Sequence, residues 1–279
     1  MGRVWLVTGA SRGIGAALVA QLLDAGENVV ATSRDAGPIR ARHGDLPNLL
    51  AVPMDVADES QIGTAVEAAL VRFGRIDVLV NNAGYGHIGI FEETSLNELR
   101  DQFEVNVFGV FAVTKAVAAV MRKQRSGLIV NMSSYAAFQA GFARGAYNPS
   151  KFVIEGWSQA LADEMAVIGV KVVCISPGFF RTDIWDESSM RYSAEAGTLP
   201  EYAERWVQFK TAHTSLNHTQ NGDPEKLAAL IIEVSEMDEP PTSLLAGSET
   251  VDKMLSLLES RAENVRRWEH LTRSTDGDW

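Results

Sequence analysis

The sequence predicts an α/β fold, in which one domain is built on a doubly wound, seven-stranded parallel sheet with helices on both faces. Short apolar runs rich in β-branched residues alternate with longer helical patterns, and no linker, repeat or low-complexity segment divides residues 1–279. Alternation at this spacing is typical of parallel β-α-β units with right-handed crossovers. The predicted strands are Val4–Val7, Asn28–Thr32, Leu49–Val52, Val78–Val80, Leu128–Asn131, Val170–Ile175 and Ser243–Leu245. The predicted helices are Gly13–Ala25, Glu59–Phe73, Leu96–Arg122, Ala146–Ile168 and Pro224–Glu236.

Composition restricts the class of protein. The 279 residues are 46% hydrophobic and carry a formal net charge of −11. This acidic balance argues against nucleic acid as a partner, because phosphate binding needs a basic surface. No apolar run reaches the ~20 residues that span a bilayer, and the N-terminus has none of the features of a signal peptide. The single cysteine, Cys174, lies in an apolar run and is predicted to be a buried thiol, so we expect a cytoplasmic protein with no membrane partner.

Two regions interrupt the alternation. Residues 183–220 contain no clear strand pattern but are rich in aromatic residues, which predicts either a substrate lid or a small helical subdomain packed on the sheet edge. The position of this region, shortly after Pro177-Gly178, favours the lid. The second region, residues 248–279, is predicted to form a helix over Glu249–Trp268 and a frayed tail.

A glycine-rich turn connects the first predicted strand to the first predicted helix. Gly9, Gly13 and Gly15 permit a tight turn, let backbone N–H groups approach a pyrophosphate and direct the positive end of a helix dipole towards it. The spacing differs from the common G-x-G-x-x-G pattern, so the turn alone is a weak signal. It predicts dinucleotide contacts from these glycines and from their neighbours Ser11, Arg12 and Ile14.

Tyr147 and Lys151 form a second motif. They are four residues apart, so on a helix they lie on one face, one turn from each other. Pro149 between them is tolerated in a first turn, which predicts a helix that begins close to Tyr147. A free phenol has a pKa near ~10, and a nearby ammonium would lower that pKa. The pair is therefore a candidate proton donor or acceptor, although an isolated Tyr-x-x-x-Lys match is more often structural.

Together with the glycine turn, this pattern resembles the short-chain dehydrogenase/reductase family, which implies a Rossmann-type sheet. The family's catalytic serine lies thirteen positions before the tyrosine, which selects Ser134 over Ser133. The resemblance implies that Ser134 holds the substrate oxygen beside Tyr147. It also implies that Asn106 bends its helix and supports a water-linked proton relay to Lys151. Without these partners, Ser134 would be interpreted as a strand-end serine in a turn, and Asn106 as a polar side chain making a local backbone bond.

The resemblance also assigns residues to the cofactor. The matching elements span residues 8–182, about two thirds of the chain. The implied contacts are Asp55 and Val56 at the adenine, Asn82, Ala83 and Gly84 beside the adenosine, Pro177, Gly178 and Thr182 at the nicotinamide, and Tyr147 and Lys151.

The end of the second predicted strand bears on which nicotinamide cofactor is used. NAD enzymes need an acidic side chain there for the ribose 2′-hydroxyl, whereas this chain has Ser33 followed by Arg34. Arg34 is placed to form a fork on a 2′-phosphate, and Arg12 stands at the other position where the family's NADP users carry a basic residue. Together they favour NADP(H), although each arginine could be a solvated surface charge. Asp35 is one residue late to serve as the acid, and a different register would restore it.

The leading hypothesis is an NADP(H)-dependent oxidoreductase that interconverts a ketone and a secondary alcohol. The resemblance implies hydride transfer with Tyr147 as proton donor or acceptor, and the aromatic residues within 183–220 favour a bulky apolar small-molecule substrate. One alternative is an epimerase or dehydratase with a recycled cofactor, but those relatives usually have longer C-terminal domains. The other is a non-catalytic NADP(H)-sensing protein, but such relatives tend to lose the Ser-Tyr-Lys set, which is complete here.

Assembly is predicted from the helices that the family uses for its interfaces. Many members form dimers through the two long helices that correspond to Leu96–Arg122 and Ala146–Ile168, and tetramers through the last strand and its neighbouring helix. The final helix carries an apolar stripe that must be buried on its own domain or against a partner. Packing on its own domain would cover the tetramer edge, so we expect a homodimer. This C-terminal stripe consists of Val251, Met254, Leu255, Leu258, Ala262, Val265 and Trp268.

Overall fold

A computed structural model describes residues 2–182, 186, 189–217 and 219–277. Its strands are β1 Val4–Thr8, β2 Asn28–Ser33, β3 Leu49–Pro53, β4 Val78–Asn81, β5 Gly86–Ile88, β6 Gly127–Met132, β7 Val170–Pro177, β8 Met190–Tyr192 and β9 Ser243–Ala246. Seven of them form a parallel sheet in the order β3-β2-β1-β4-β6-β7-β9. The strand order reverses between β1 and β4, which confirms the predicted doubly wound fold class.

Helices cover both faces of this sheet. They are α1 Gly13–Asp24, α2 Gly37–His43, α3 Glu59–Phe73, α4 Leu96–Phe103, α5 Val110–Gln124, α6 Tyr147–Ala166, α7 Pro200–Ser215, α8 Pro224–Glu236 and α9 Ser248–Arg273. Alternate residues of a strand point to opposite faces. Trp5 therefore packs in a cluster with α1 and α8, whereas Leu6 packs in a second cluster with α3, α5 and α6.

A chain of buried amides and hydroxyls crosses the sheet near the carboxyl ends of β4 and β6. Asn81 donates to Thr114 Oγ1 at 2.8 Å and to Asn131 Oδ1 at 2.9 Å, and Asn131 donates to Ser158 Oγ at 2.9 Å. Buried polar groups without partners are costly, so this chain favours a single register of β4, β6 and their helices. The functional side chains described below lie at this end of the sheet.

The helix expected over Leu96–Arg122 is interrupted. A π-helical turn, Glu104–Gly109, separates α4 from α5. By length and hydropathy alone Leu96–Gln124 could cross a membrane, and within the described residues it is the one helical run that meets these two criteria. Val113 and Val117 on this run are buried against the sheet, as expected for a core helix.

Within residues 183–220 the prediction of no strand is wrong. β8 pairs in parallel with β5 in a separate two-stranded sheet, and α7 follows. A strand of three residues is too short to show an alternating pattern, and its partner lies about a hundred residues earlier. Residues 183–185, 187, 188 and 218 of this region, including Trp185, lie outside the described residues.

The aromatic residues that are described in this region form a cluster beside the sheet. Tyr192, Trp206 and Phe209 pack with Ile88 and other apolar side chains. The Trp206 and Phe209 rings stack with centroids 5.9 Å apart. Ordering of this region over a substrate stays a prediction.

The C-terminal stripe does not pack on its own domain. Thr250 is the one residue of α9 that is buried, while Leu258 and Val265 remain 52% and 67% exposed. Packing on the domain, one of the two expected solutions, is therefore wrong for the described chain. Burial against a partner stays a prediction.

Candidate active site

Two connected concavities lie beyond the carboxyl ends of the strands, where open α/β sheets bind ligands. One is an elongated groove of about 1040 Å³ that runs from the glycine turn to the ends of β2 and β3. The other is a cavity of about 360 Å³ over the start of α6. Ile14, Asn82, Gly84, Tyr85 and Thr182 line both, so a molecule in the groove can extend into the cavity.

The glycine turn is held in the geometry that an anion site needs. Gly9 and Gly13 have φ values of 67° and 54°, which side-chain-bearing residues rarely adopt. A Cβ at Gly9 would lie 2.8 Å from Ala83 Cα, so only glycine allows this approach. Asn82 fixes the turn by donating to Thr8 O at 2.9 Å and Gly9 O at 3.1 Å.

The N-terminus of α1 faces the groove without a protein cap. No side chain caps its first turn at Arg12, and no acidic residue lies in that turn. The first-turn N–H groups and the helix dipole can therefore receive a phosphate. Gly13, Ile14, Ser11 and Arg12 all line the groove. Together with the groove's length, this fits a dinucleotide.

β2 stays paired with β3 up to its last residue. Ser33 is the last residue of the strand and pairs with Pro53, and its hydroxyl donates to Asp35 O at 2.6 Å. Asp35 Oδ1 accepts from Gly37 N at 2.8 Å, so this carboxylate is engaged at the start of α2. Arg34 is exposed on the groove wall, and the described part of the chain offers its guanidinium no hydrogen bond or ion pair.

The remaining residues assigned to the cofactor also line these two spaces. Asp55 and Val56 lie in the groove, where Asp55 Oδ1 accepts from Ala57 N at 3.0 Å. Pro177 and Gly178 line the cavity at the end of β7. The structure thus brings every residue assigned from the sequence to one continuous site. They are Gly9, Ser11, Arg12, Gly13, Ile14, Arg34, Asp55, Val56, Asn82, Ala83, Gly84, Asn106, Ser134, Tyr147, Lys151, Pro177, Gly178 and Thr182. Gly15 lies directly behind them in α1 and is buried.

Tyr147 begins α6, as its proximity to Pro149 predicts. Ser134, which precedes a short 3₁₀ turn at the end of β6, lies beside Tyr147, and its hydroxyl lowers the pKa of the phenol. The Lys151 ammonium lies 5.9 Å from the centroid of the Tyr147 ring and donates to Met132 O at 2.9 Å. These three side chains line the same cavity.

Burial controls the ionisation of this group. It raises the pKa of the Tyr147 phenol. The neighbouring Ser134 hydroxyl and the positive charge of Arg144 act in the opposite direction and lower that pKa. Burial lowers the pKa of Lys151 to about 8. The phenol is therefore protonated at neutral pH and ready to donate.

Buried hydrogen bonds fix α6 against the sheet. Glu155, one turn after Lys151, accepts from Ser176 Oγ at 2.9 Å, Ser243 Oγ at 2.6 Å and Cys174 Sγ at 3.1 Å. These bonds tie the helix to β7 and β9. Cys174 is buried, as predicted, and burial and the neighbouring carboxylate raise its pKa to about 12.

Asn106 lies in the π-helical turn and lines the cavity. Its side chain donates to Tyr85 O at 2.9 Å and accepts from Tyr85 N at 3.1 Å. A π-turn shifts the hydrogen-bonding pattern of a helix and is common at functional sites. The pairing of Asn106 with the Tyr85 backbone is the local bond considered above, here made between distant segments.

Several cavity residues had no signal in the sequence. Arg144 lies in the loop before α6, and Glu249 and Lys253 belong to the first turns of α9. Glu249 accepts from Phe179 N at 3.3 Å and pairs with Lys253 at 3.7 Å. Residues four apart on a helix commonly form a surface pair, so this spacing carries no signal for a site.

The family model for short chain dehydrogenases matches residues 3–193. An oxidoreductase of Botryotinia fuckeliana, BOA17, is 32% identical over 98% of this chain and 98% of its own length. The crystal structure of a short-chain dehydrogenase from Streptomyces avermitilis superposes with a TM-score of 0.88 at 37% identity, covering 99% of this chain and 100% of that one. The chain belongs to the short-chain dehydrogenase/reductase family.

Two further solved members were determined with nicotinamide nucleotides. ElxO with bound NADP is 25% identical with a TM-score of 0.73, over 90% of this chain and 100% of that chain. A member from Burkholderia phymatum in complex with NAD is 27% identical with a TM-score of 0.78, over 95% and 94% of the two chains. The fold thus holds either nucleotide in related proteins, and the choice depends on the residues that line each groove.

Proposed function

We propose that the protein is an NADP(H)-dependent carbonyl reductase, which in reverse is an alcohol dehydrogenase. The observation that carries the proposal is that Ser134, Tyr147 and Lys151 line one cavity, which opens into a dinucleotide-sized groove. In this proposal the enzyme is cytoplasmic and acts on a small-molecule ketone or secondary alcohol.

Each side chain has one task. Ser134 donates a hydrogen bond that holds and polarises the carbonyl oxygen, and Tyr147 gives its phenolic proton to that oxygen as charge develops. A bound nicotinamide supplies the hydride to the carbonyl carbon in reduction and accepts it in oxidation. In the reverse direction, the phenolate of Tyr147 removes the hydroxyl proton.

Lys151 and Asn106 serve the proton supply. The positive charge of Lys151 stabilises the phenolate left after the transfer, which eases release of the proton. Asn106 lines the same cavity, and in this proposal it supports the water-linked relay through which the phenol is reprotonated. Pro177, Gly178 and Thr182 line the cavity and would form the wall against which a nicotinamide is held.

The preference for NADP(H) follows from charge at the end of β2. Arg34 is exposed on the groove wall with no anionic partner among the described residues, and Arg12 lies across the glycine turn. A 2′-phosphate satisfies Arg34 through charge-assisted hydrogen bonds. Asp35 has one oxygen committed to Gly37 N, which makes it a poorer acceptor for a ribose hydroxyl.

The experiment is an NADPH-oxidation screen over a panel of ketones, followed by absorbance at the nicotinamide band. We expect turnover that Tyr147→Phe abolishes almost completely, because general acid catalysis is worth ~10²–10⁴ in rate. NADPH binding, followed by its fluorescence, should survive the substitution. Unchanged turnover in Tyr147→Phe would reject the proposed mechanism.

A further inference from the structure

Arg144 is a half-buried cation that lines the substrate cavity beside Tyr147. Its guanidinium makes no hydrogen bond or ion pair with any residue that the structure describes. Its nearest ring contact is Phe209, whose centroid lies 5.7 Å from Cζ. Burial lowers the pKa of Arg144, and the two neighbouring phenols, Tyr147 and Tyr192, raise it. A desolvated guanidinium without a carboxylate is costly unless a ligand completes it.

The loop that carries Arg144 is held firmly. Ala143, the preceding residue, has a φ of 59° and is buried, and its carbonyl accepts from Gly89 N at 2.9 Å. The carbonyl of Arg144 accepts from Asn148 N at 3.2 Å, in the first turn of α6. The backbone on both sides is therefore fixed, so the side chain is directed to the cavity by the fold rather than by a local ion pair.

The other charged side chains of the cavity are already paired. Lys253 pairs with Glu249, and the Lys151 ammonium is bound to Met132 O. Glu249 is the one carboxylate among the cavity-lining residues that the structure describes. The substrate cavity therefore has an excess of positive charge, although the whole chain has a net charge of −11. Arg144 is the cation of this cavity to which the described residues offer neither a carboxylate nor a backbone carbonyl.

We propose that Arg144 binds a carboxylate of the substrate, so that the enzyme reduces keto acids or oxidises hydroxy acids. This rests on the proposed reductase function. A guanidinium presents a planar fork that matches a carboxylate with two parallel hydrogen bonds. Ile88, Phe180 and Met190 line the same cavity and provide an apolar wall, so the preferred substrate has a hydrocarbon or aromatic body between its carbonyl and its carboxylate.

A different role for the same charge is to act on Tyr147 alone. In that case the loss of Arg144 would lower kcat equally for charged and neutral ketones, because every substrate receives its proton from the same phenol. A carboxylate partner instead predicts a loss in KM that is confined to the acid. The two roles are separated by a pair of substrates that differ only in charge.

The test compares 3-benzoylpropionate with its methyl ester, using NADPH and the wild-type, Arg144→Met and Arg144→Lys enzymes. We expect wild type to prefer the acid in kcat/KM by about ten- to a hundredfold, the value of a charge-assisted pair. Arg144→Met should lose this preference because its KM for the acid rises towards that for the ester, while Arg144→Lys should retain part of it. A matched control is Arg205→Met, since Arg205 contacts Phe142 of the same aromatic cluster but does not line the cavity.

An equal loss on both substrates, or a wild-type preference for the ester, would overturn the inference.

A binding experiment tests the carboxylate site independently of turnover. Calorimetry with 3-phenylpropionate and 3-phenylpropionamide should show tighter binding of the carboxylate to wild type and no difference in Arg144→Met. If no ketone is reduced but this difference is found, the carboxylate site stands and the proposed reductase function fails. Equal binding of acid and amide by wild type would reject the site.

Discussion

Ser134 and Ser133 are adjacent in sequence but face different parts of α6. Ser134 lies beside the Tyr147 phenol and lowers its pKa, whereas Ser133 Oγ donates to the backbone carbonyl of Lys151 at 3.3 Å. One serine therefore faces the reacting phenol, and the other fastens the helix that carries it.

The two serines should differ sharply on substitution. Ser134→Ala removes the group that polarises the carbonyl, and we expect a loss of kcat of ~10²-fold or more, as for other donors to a developing oxyanion. Ser133→Ala removes one long neutral hydrogen bond worth about 1 kcal/mol of stability and should leave kcat within a few fold. Steady-state kinetics and thermal unfolding of both variants measure this. A larger loss of kcat in Ser133→Ala would show that the assignment is wrong.

Arg34 should determine the discrimination between nucleotides. We expect Arg34→Ala to raise the KM for NADPH more than tenfold, because a charge-assisted bond is worth about 1.5–3 kcal/mol, and to change the KM for NADH little. Arg42→Ala removes an exposed arginine of α2 that does not line the groove, and it controls for net charge. If wild type prefers NADH, or if both KM values rise together, the 2′-phosphate has no partner at Arg34.

His213 should make the protein sensitive to acid. It is buried on α7 and stacks on Phe209, and burial with the nearby charge of Arg144 lowers its pKa from 6.5 to about 4. The unfolded chain therefore binds a proton between pH 6.5 and 4 that the folded chain does not, so the free energy of unfolding falls as pH falls through this window. The full contribution, roughly 3 kcal/mol, is present above pH 6.5.

Denaturant unfolding at pH 7 and pH 4.5 tests this expectation. His213→Phe keeps the aromatic stack and should be less destabilised by acid than wild type, while the exposed His270→Phe should behave as wild type does. An identical acid dependence in wild type and His213→Phe would contradict the prediction.

We expect a homodimer formed through α5, α6 and the π-turn between α4 and α5. Phe108 and Phe152 on these helices remain 54% and 41% exposed, so their aromatic side chains are available to pack across this interface. Replacing both by Glu should give a monomer in light scattering at micromolar concentration. Val71→Glu, at an equally apolar and more exposed position on α3, is the control. A wild-type monomer would exclude this interface, and a stable tetramer would show that the sheet edge is used as a second interface.

The parts of the fold that could be predicted have strong local signals. Buried parallel strands such as β1 and β6 are continuous apolar runs, and Pro149 locates the start of α6 to a residue. What could not be predicted depends on partners far away in sequence. β8 exists because it pairs with β5, and the π-turn at Asn106 depends on hydrogen bonds to the Tyr85 backbone.

The site divides in the same way. Tyr147 and Lys151 carry a spacing that can be recognised in the sequence, and Ser134 is found from its distance to them. Arg144 and Lys253 have no such spacing, because their position in the cavity results from the loop before α6 and from the start of α9. Cavity residues such as these are therefore less visible in the sequence than the Ser-Tyr-Lys set.

The attachment of α9 has a consequence for how substrate range can change. Among the described residues, α9 reaches the cavity through Glu249 and Lys253 in its first turns, and Arg261 donates to Phe138 O at 2.6 Å. Ser134, Tyr147 and Lys151 are carried by other elements, the end of β6 and α6. Exchanging the terminal helix between relatives would therefore change the residues at the mouth of the cavity and leave those carried by β6 and α6 unchanged.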